Sequence, residues 1–331
     1  MDFDVFGLGN ALLDINYQVS EEFLQKHHLQ KGRMALIEEN QLADLSAWEL
    51  PPAQMSSGGS AANSMIALAL LGGKAYYACQ VAPDKEGQAY LTDLQKVGVQ
   101  VSPLPDSQAY RGKATGRCCV FISPDAERTM YTYLGACTSL DPHLIDAAKI
   151  RAAQMVYVEG YLTAQKAAED AVMKTVALAQ QEQKPLALTF SDVNIIQNCR
   201  SVLLQILQNK IAYLFCNAQE ALAFTGEKEI LLAGEALLEV AENVCLTCGP
   251  QGAYVWGKAG KGVMISAPSV KAIDTNGAGD MFAGCFLYGI THHWPPEKAA
   301  QLACHAAAYL TTQPGARLNA AQLAQQKAKF V

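Results

Sequence analysis

Between residues 153 and 226 the chain alternates short apolar runs with longer amphipathic ones. "AQMVYVEG" leads into "QKAAEDAVMKTVALAQQEQ", "KPLALTFSD" into a helical stretch from about Ile195, and "IAYLFCNA" into "QEALAFTG". Runs that are apolar at nearly every position suit strands buried on both faces. Such strands, spaced by helices, build a mainly parallel sheet with helices on either side. The first hundred residues follow the same rule: "DVFGLG" reads as a buried strand, "NSMIALALLGG" as a buried helix, "KAYYACQVA" as a strand and "KEGQAYLTDLQKVG" as a helix with a terminal glycine. The predicted fold class is therefore α/β, a central mainly parallel β-sheet flanked by helices.

Two regions break this alternation. "INYQV" and "RMALIEE" read as strands with no long helix between them. "GRCCVFISPDAERTMYTYLGA", Gly116 to Ala136, reads as a hairpin around "SPDAE". They are expected to form a small accessory sheet, residues 15–37 and 99–135, placed as a lid on a larger body of residues 1–14, 38–98 and 136–331. The alternative is an edge extension of the main sheet. No repeat, low-complexity tract or interdomain linker interrupts the 331 residues.

Composition excludes several classes. Apolar residues at 50% and charged ones at 17% describe a globular chain, not a disordered one. With a formal charge of −6 and no basic run, nucleic acid is not an expected partner. The start "MDFDVFGLGN" lacks a basic, then apolar, signal pattern, and no apolar run nears the about 20 residues of a membrane span. Ten cysteines are scattered among mostly apolar residues, which suits a reduced, cytoplasmic protein. Cys245 and Cys248 have a metal-like spacing without a second pair or a histidine cluster, so neither zinc nor redox chemistry is expected.

Some motifs are decoys. "GLGNAL" has Leu12 where a dinucleotide fingerprint needs its third glycine. "GAYVWGKA" imitates a phosphate loop up to Lys258, but Ala259 has no hydroxyl and "AYVW" reads as a hairpin strand. The histidine pairs 27–28 and 292–293 belong to no HExxH pattern.

Four stretches at strand ends carry chemistry. In "GNALLD", Asn10 and Asp14 are expected to face the crevice beyond the first strand, where a carboxylate can accept two hydroxyls of a vicinal diol. The other reading is a turn capped by its own Asn and Asp. In "SSGGSAANS", Gly58 and Gly59 permit close approach of a ligand and Asn63 opens a helix; a plain strand-to-helix turn has the same letters. Asn217 and Glu220 share a helical face able to hold water or Mg²⁺ among phosphates, or else form a capping box. In "DTNGAGD", the amides of Gly277, Ala278 and Gly279 are free to point at one anion, with Asp280 beside it as a proton acceptor. The bland reading makes Asn276 an ordinary helix cap.

"GGSAAN" and "DTNGAGDMFAG" resemble the two signatures of the ribokinase-like family, the PfkB-type sugar and nucleoside kinases. "NAQE" is similar to that family's N-x-x-E motif and "LTCGPQGA" to its nucleotide-side T-x-G-x-x-G segment, in family order from Gly7 to about Gly315. The resemblance implies an ATP-dependent kinase with a β lid over the phosphoryl acceptor. It implies Asp280 as catalytic base and Asn276, Gly277, Ala278 and Gly279 as the anion hole. Asn217 and Glu220 match the Mg²⁺ and phosphate motif, acting through water. Asp14, Gly58, Gly59 and Asn63 match acceptor-hydroxyl contacts, with Asn10 nearby, and Thr247, Gly249 and Gly252 fall on the ATP side. Arg128 on the lid hairpin would close over the transferring phosphate. K⁺ is a candidate at Asp274 and Asn276, with the loop near Gly315 and with Asn319.

"GLGNALLD", "KGRMALI" and the lid hairpin resemble adenosine kinases more than sugar kinases. This implies transfer to the 5′-hydroxyl of a nucleoside, adenosine first, with Met34 and Leu36 packed on the base. A fructose- or ribose-type sugar kinase is the alternative. A non-catalytic relative would have lost the base or the anion-hole glycines, and both are present. Monomer and lid-mediated homodimer both remain open.

Overall fold

The computed structural model describes the chain except residues 49, 52, 109, 111, 126, 258, 259 and 331 and the side chains of Met34, Ser46 and Gln54. Its strands are β1 (Phe3–Leu8), β2 (Leu12–Gln18), β3 (Met34–Leu36), β4 (Gln54–Gly58), β5 (Ala75–Ala78), β6 (Gln100–Val101), β7 (Gly116–Ile122), β8 (Arg128–Tyr133), β9 (Ala153–Glu159), β10 (Leu186–Thr189), β11 (Ile211–Asn217), β12 (Ala241–Thr247), β13 (Gly252–Trp256) and β14 (Val263–Ser266). Nine of them form one sheet in the order β14-β13-β12-β11-β10-β9-β1-β5-β6. All neighbours from β12 to β6 run parallel, and β13 and β14 close the other edge antiparallel.

Burial explains why these runs lack polar alternation. Every residue of β1 is buried. Val5, Met155 and Tyr157 face one apolar core with the helices Ser60–Leu70 and Ala278–Thr291, while Phe6, Leu8, Val156 and Val158 face a second core with the helix Lys166–Gln181. The two helices of the first core touch closely at Gly284, where an added Cβ would stand 2.3 Å from the Ser64 carbonyl oxygen. That contact brings the start of the later helix beside the start of the earlier one.

The remaining strands form a separate five-stranded sheet, β3-β8-β7-β2-β4, so the accessory segments are no edge extension of the main sheet. Its alternation is clean in β7. Cys119 and Phe121 join an outer core with Leu24, Leu42 and Leu45, whereas Cys118, Val120 and Ile122 face the cleft beneath. Three memberships differ from expectation. β2 begins at Leu12, so residues 12–14 belong to the small sheet and not to the body. β4 lies in the small sheet, antiparallel to β2 with Ser56 opposite Asp14, and β6 pairs with β5 in the large one. "QMSSG" carries no apolar period, and its pairing with β2 is long-range, so its place is invisible in the local pattern.

The "GAYVWGKA" segment does form a hairpin strand, β13, paired with β14; Lys258 and Ala259 lie outside the described residues. All ten cysteines are free, and no metal-holding cluster exists among the described residues. Among those residues no helix is long and apolar enough to cross a membrane.

Candidate active site

The carboxyl ends of the parallel strands converge on a cleft of ≈ 960 Å³ roofed by the small sheet. Thr189, Asn217 and Thr247, the last residues of β10, β11 and β12, all line it. β1 lies between β5 and β9, so the chain reverses direction across the sheet at this strand. A crevice at such a switch point is where open α/β sheets place ligands.

The helix Ala278–Thr291 points its start into the cleft. Its cap is Gly277 rather than the Asn276 of the bland reading, and it carries no side-chain cap bond. Gly277 has φ 73°, and a Cβ there would stand 2.6 Å from the Ala316 carbonyl oxygen, so only glycine fits. Ala278 N–H gives a 3.3 Å bond to the Thr275 carbonyl. The N–H groups of Gly277, Gly279 and Asp280 donate to nothing among the described residues. Free amides at a positive helix end form an anion site.

Asp280 stands on the first turn of that helix. Ser60 Oγ donates to its Oδ1 at 2.6 Å and Asn63 Nδ2 to its Oδ2 at 3.0 Å. Burial pushes its pKa up to about 6 against the pull of these donors and of Arg317. The carboxylate is thus ionised at neutral pH yet basic for an aspartate.

Asp14 faces the same cleft from β2, and among the described residues no group donates to its carboxylate. Gly58 lies on the neighbouring β4, diagonal to it: a Cβ there would stand 2.6 Å from both carboxylate oxygens. Burial and the Asp280 charge raise the Asp14 pKa to about 6, although Arg317 and Arg128 oppose the rise. Gly59 and Asn63 also line the cleft. Asn10 does not. It is buried, with its amide donating to Glu159 at 2.8 Å and accepting from Gln165 at 3.0 Å. Leu36 is 64% exposed and stands outside the cleft, and the Met34 side chain lies outside the described residues.

Asn217 and Glu220 form the capping box. Glu220 accepts from Asn217 N at 3.0 Å and Asn217 Nδ2 at 2.7 Å, and its own N–H donates back at 2.9 Å. Both nevertheless line the cleft, so forming the box does not withdraw them from it. Burial raises the Glu220 pKa to about 7. Thr247 and Gly249 line the cleft near them, whereas Gly252 opens β13 outside it.

Arg128 lines the cleft from β8, and its guanidinium lies 2.8 Å from Asp274 Oδ2. Asp274 also accepts from Asn276 N at 3.0 Å and Gly315 N at 2.8 Å. Asn319 is committed elsewhere, capping the last helix through Gln322 N at 2.9 Å.

A family model described as pfkB family carbohydrate kinase matches residues 37–322. The chain belongs to this pfkB family. An adenosine kinase from Saccharomyces cerevisiae is 29% identical over 306 residues, covering 86% of this chain and 87% of that protein. The solved structure of an adenosine kinase from Sinorhizobium meliloti superposes with a TM-score of 0.85 at 31% identity, covering 99% of this chain and 100% of that one. A probable sugar kinase from Rhizobium etli CFN 42 superposes with a TM-score of 0.86 at 31% identity, covering 100% and 99%. As a pfkB-family kinase the chain transfers a phosphoryl group from ATP to an alcohol.

Two residues of this pfkB cleft, and one fully buried residue outside its lining, escaped the sequence reading. Ser60 was hidden in a run of small residues that fits an ordinary helix start. Arg317 stands in the cleft from a loop 37 positions beyond Asp280 and belongs to none of the stretches singled out. Glu159, the end of β9, is fully buried and accepts from Ala61 N at 2.8 Å as well as from Asn10. It thereby ties the first strand to the helix that carries Ser60 and Asn63, and burial raises its pKa to about 7. The signal was faint: one acid ending the apolar run "AQMVYVE".

Proposed function

We propose that the chain transfers the γ-phosphoryl group of MgATP to the 5′-hydroxyl of a nucleoside, adenosine first. The observation that carries this reading is the cleft face of the small sheet. Asp14, Asn16 and Gln18 alternate along β2 into the cleft, beside Val120 and Ile122 of β7 and Met130 of β8. Asp14 to Gln18 spans about 13 Å at ~3.3 Å per residue, longer than one furanose ring. A diol on Asp14, with a flat base against the apolar side chains and the two amides, uses that length. The small sheet then acts as a lid over the acceptor.

In the proposed reaction Asp280 accepts the hydroxyl proton as the oxygen attacks phosphorus. The amides of Gly277 and Gly279 take the negative charge that develops on the phosphoryl oxygens. ATP lies toward Thr247 and Gly249. Glu220 gives one lone pair of each oxygen to Asn217, and the others suit water on a cation. Mg²⁺ bound there would neutralise phosphate charge. Asp274 is paired with Arg128 and accepts from two backbone amides, which argues against K⁺ at that carboxylate. Ten free cysteines suit a reducing, cytoplasmic setting.

The test is ADP release with MgATP against adenosine, inosine, guanosine, cytidine, ribose and fructose. Turnover with adenosine above the others is expected. Turnover with a free sugar and none with nucleosides overturns the acceptor and favours the sugar-kinase reading, to which the likeness to the Rhizobium etli protein points.

A further inference from the structure

Arg317 lies between the helices Pro296–Leu310 and Ala320–Lys327. Its guanidinium makes three directed hydrogen bonds: NH1 to Asp93 Oδ2 at 3.1 Å, NH2 to Ser57 Oγ at 2.9 Å, and Nε to Asn63 Oδ1 at 3.0 Å. Asp93 is fixed in turn, accepting from Ser57 N at 2.9 Å and Ser57 Oγ at 2.7 Å. The fork is therefore anchored on two sides and presents its third edge to Asn63.

A carboxamide has two orientations of nearly equal shape, and only its partners choose between them. With the Arg317 donor on Oδ1, the Asn63 nitrogen must face Asp280, as it does at 3.0 Å. Turned over, the amide would set two donors against each other at Arg317 and two oxygens against each other at Asp280. We propose that Arg317 is a positioning residue for phosphoryl transfer: it locks the Asn63 amide so that Nδ2 holds the catalytic carboxylate of Asp280 in one orientation. A lysine lacks the planar fork and cannot hold all three partners at once.

The charge acts alongside the geometry. Of the groups facing Asp280, Arg317 opposes its protonation, Asp14 from β2 and Glu159 from β9 are acids, and Tyr157 and Tyr161 are neutral phenols. Arg128 pulls on Asp14. Removing the Arg317 charge therefore moves Asp280 toward the protonated form.

The inference rests on Asp280 as the proton acceptor and on no particular alcohol. Two variants separate its parts. Arg317→Met should raise the acid limb of the kcat–pH profile by roughly one unit, so that kcat at pH 6 falls about fivefold and recovers toward pH 9. Arg317→Lys, which keeps the charge, should leave the limb in place and lower kcat at every pH. KM for ATP should hold in both. A ¹³C titration of the Asp280 carboxyl in Arg317→Met needs no acceptor and should show the same upward shift. Failure of adenosine as substrate would thus leave this test intact. An Asp280 titration and acid limb unmoved in Arg317→Met overturn the proposal. A kcat for Arg317→Lys equal to the parent's at every pH also overturns it, and decides the matter if Arg317→Met does not fold.

Discussion

The Asn63 amide nitrogen donates to Asp280 Oδ2 at 3.0 Å across 217 positions of sequence, and the Ser60 hydroxyl binds the other oxygen at 2.6 Å. Two donors favour the carboxylate while burial favours the acid, and the balance lies at about 6. A base must be deprotonated to work. The kcat–pH profile should therefore fall below pH 6 with a single acid limb. Ser60→Ala, which removes a donor to the charged form, should move that limb upward. A profile flat down to pH 5 would contradict the assignment.

Asp14 pits binding against stability. Its folded pKa of about 6 exceeds the ordinary 3.8, so the native state holds the proton more tightly than the unfolded chain does. Stability from this group is present below pH 4 and is lost as pH rises through 6. Asp14→Asn should accordingly stabilise the ligand-free protein by about 3 kcal/mol at pH 8 and by almost nothing at pH 3.5. The same variant should raise the acceptor KM at least tenfold. Urea unfolding at the two pH values and acceptor kinetics check both halves; a variant less stable at pH 8 would refute the first.

Arg128 and Asp274 join the small sheet to the loop that enters the helix Ala278–Thr291, with side chains only 20% and 14% exposed. Arg128→Ala and Asp274→Asn should each raise the acceptor KM, and the double variant should do little more than either. A double-mutant cycle on kcat/KM should give a coupling of about 1 kcal/mol. Strictly additive losses would mean that the pair does not hold the sheet over the cleft.

The sequence disclosed what is local. The alternation of strands and helices follows from burial on both faces of β1 and β9, and "DTNGAGD" carries its glycines, its helix start and its acid within seven letters. What depends on distant packing stayed hidden. β4 has no apolar period, so its pairing with β2, which sets Gly58 against Asp14, could not be read. Asn10 looked like a crevice residue because it follows a strand, yet Glu159, 149 positions later, draws it inward. Arg317 reaches Asn63, Asp93 and Ser57 from a loop more than 200 residues away. Asn217 and Glu220 are ambiguous because a capping box and a ligand pair use the same two letters, and the structure shows the box at the cleft wall.

The central claim is that Asp280 takes the proton from the attacking alcohol. Asp280→Asn keeps the shape and the contact to Ser60 but cannot accept that proton. Its kcat, measured with MgATP and the best acceptor of the panel, should fall by about 10²–10⁴-fold while calorimetric ATP affinity stays within about threefold of the parent's. A variant that retains more than a tenth of the parent kcat would contradict the account and remove Asp280 from the reaction.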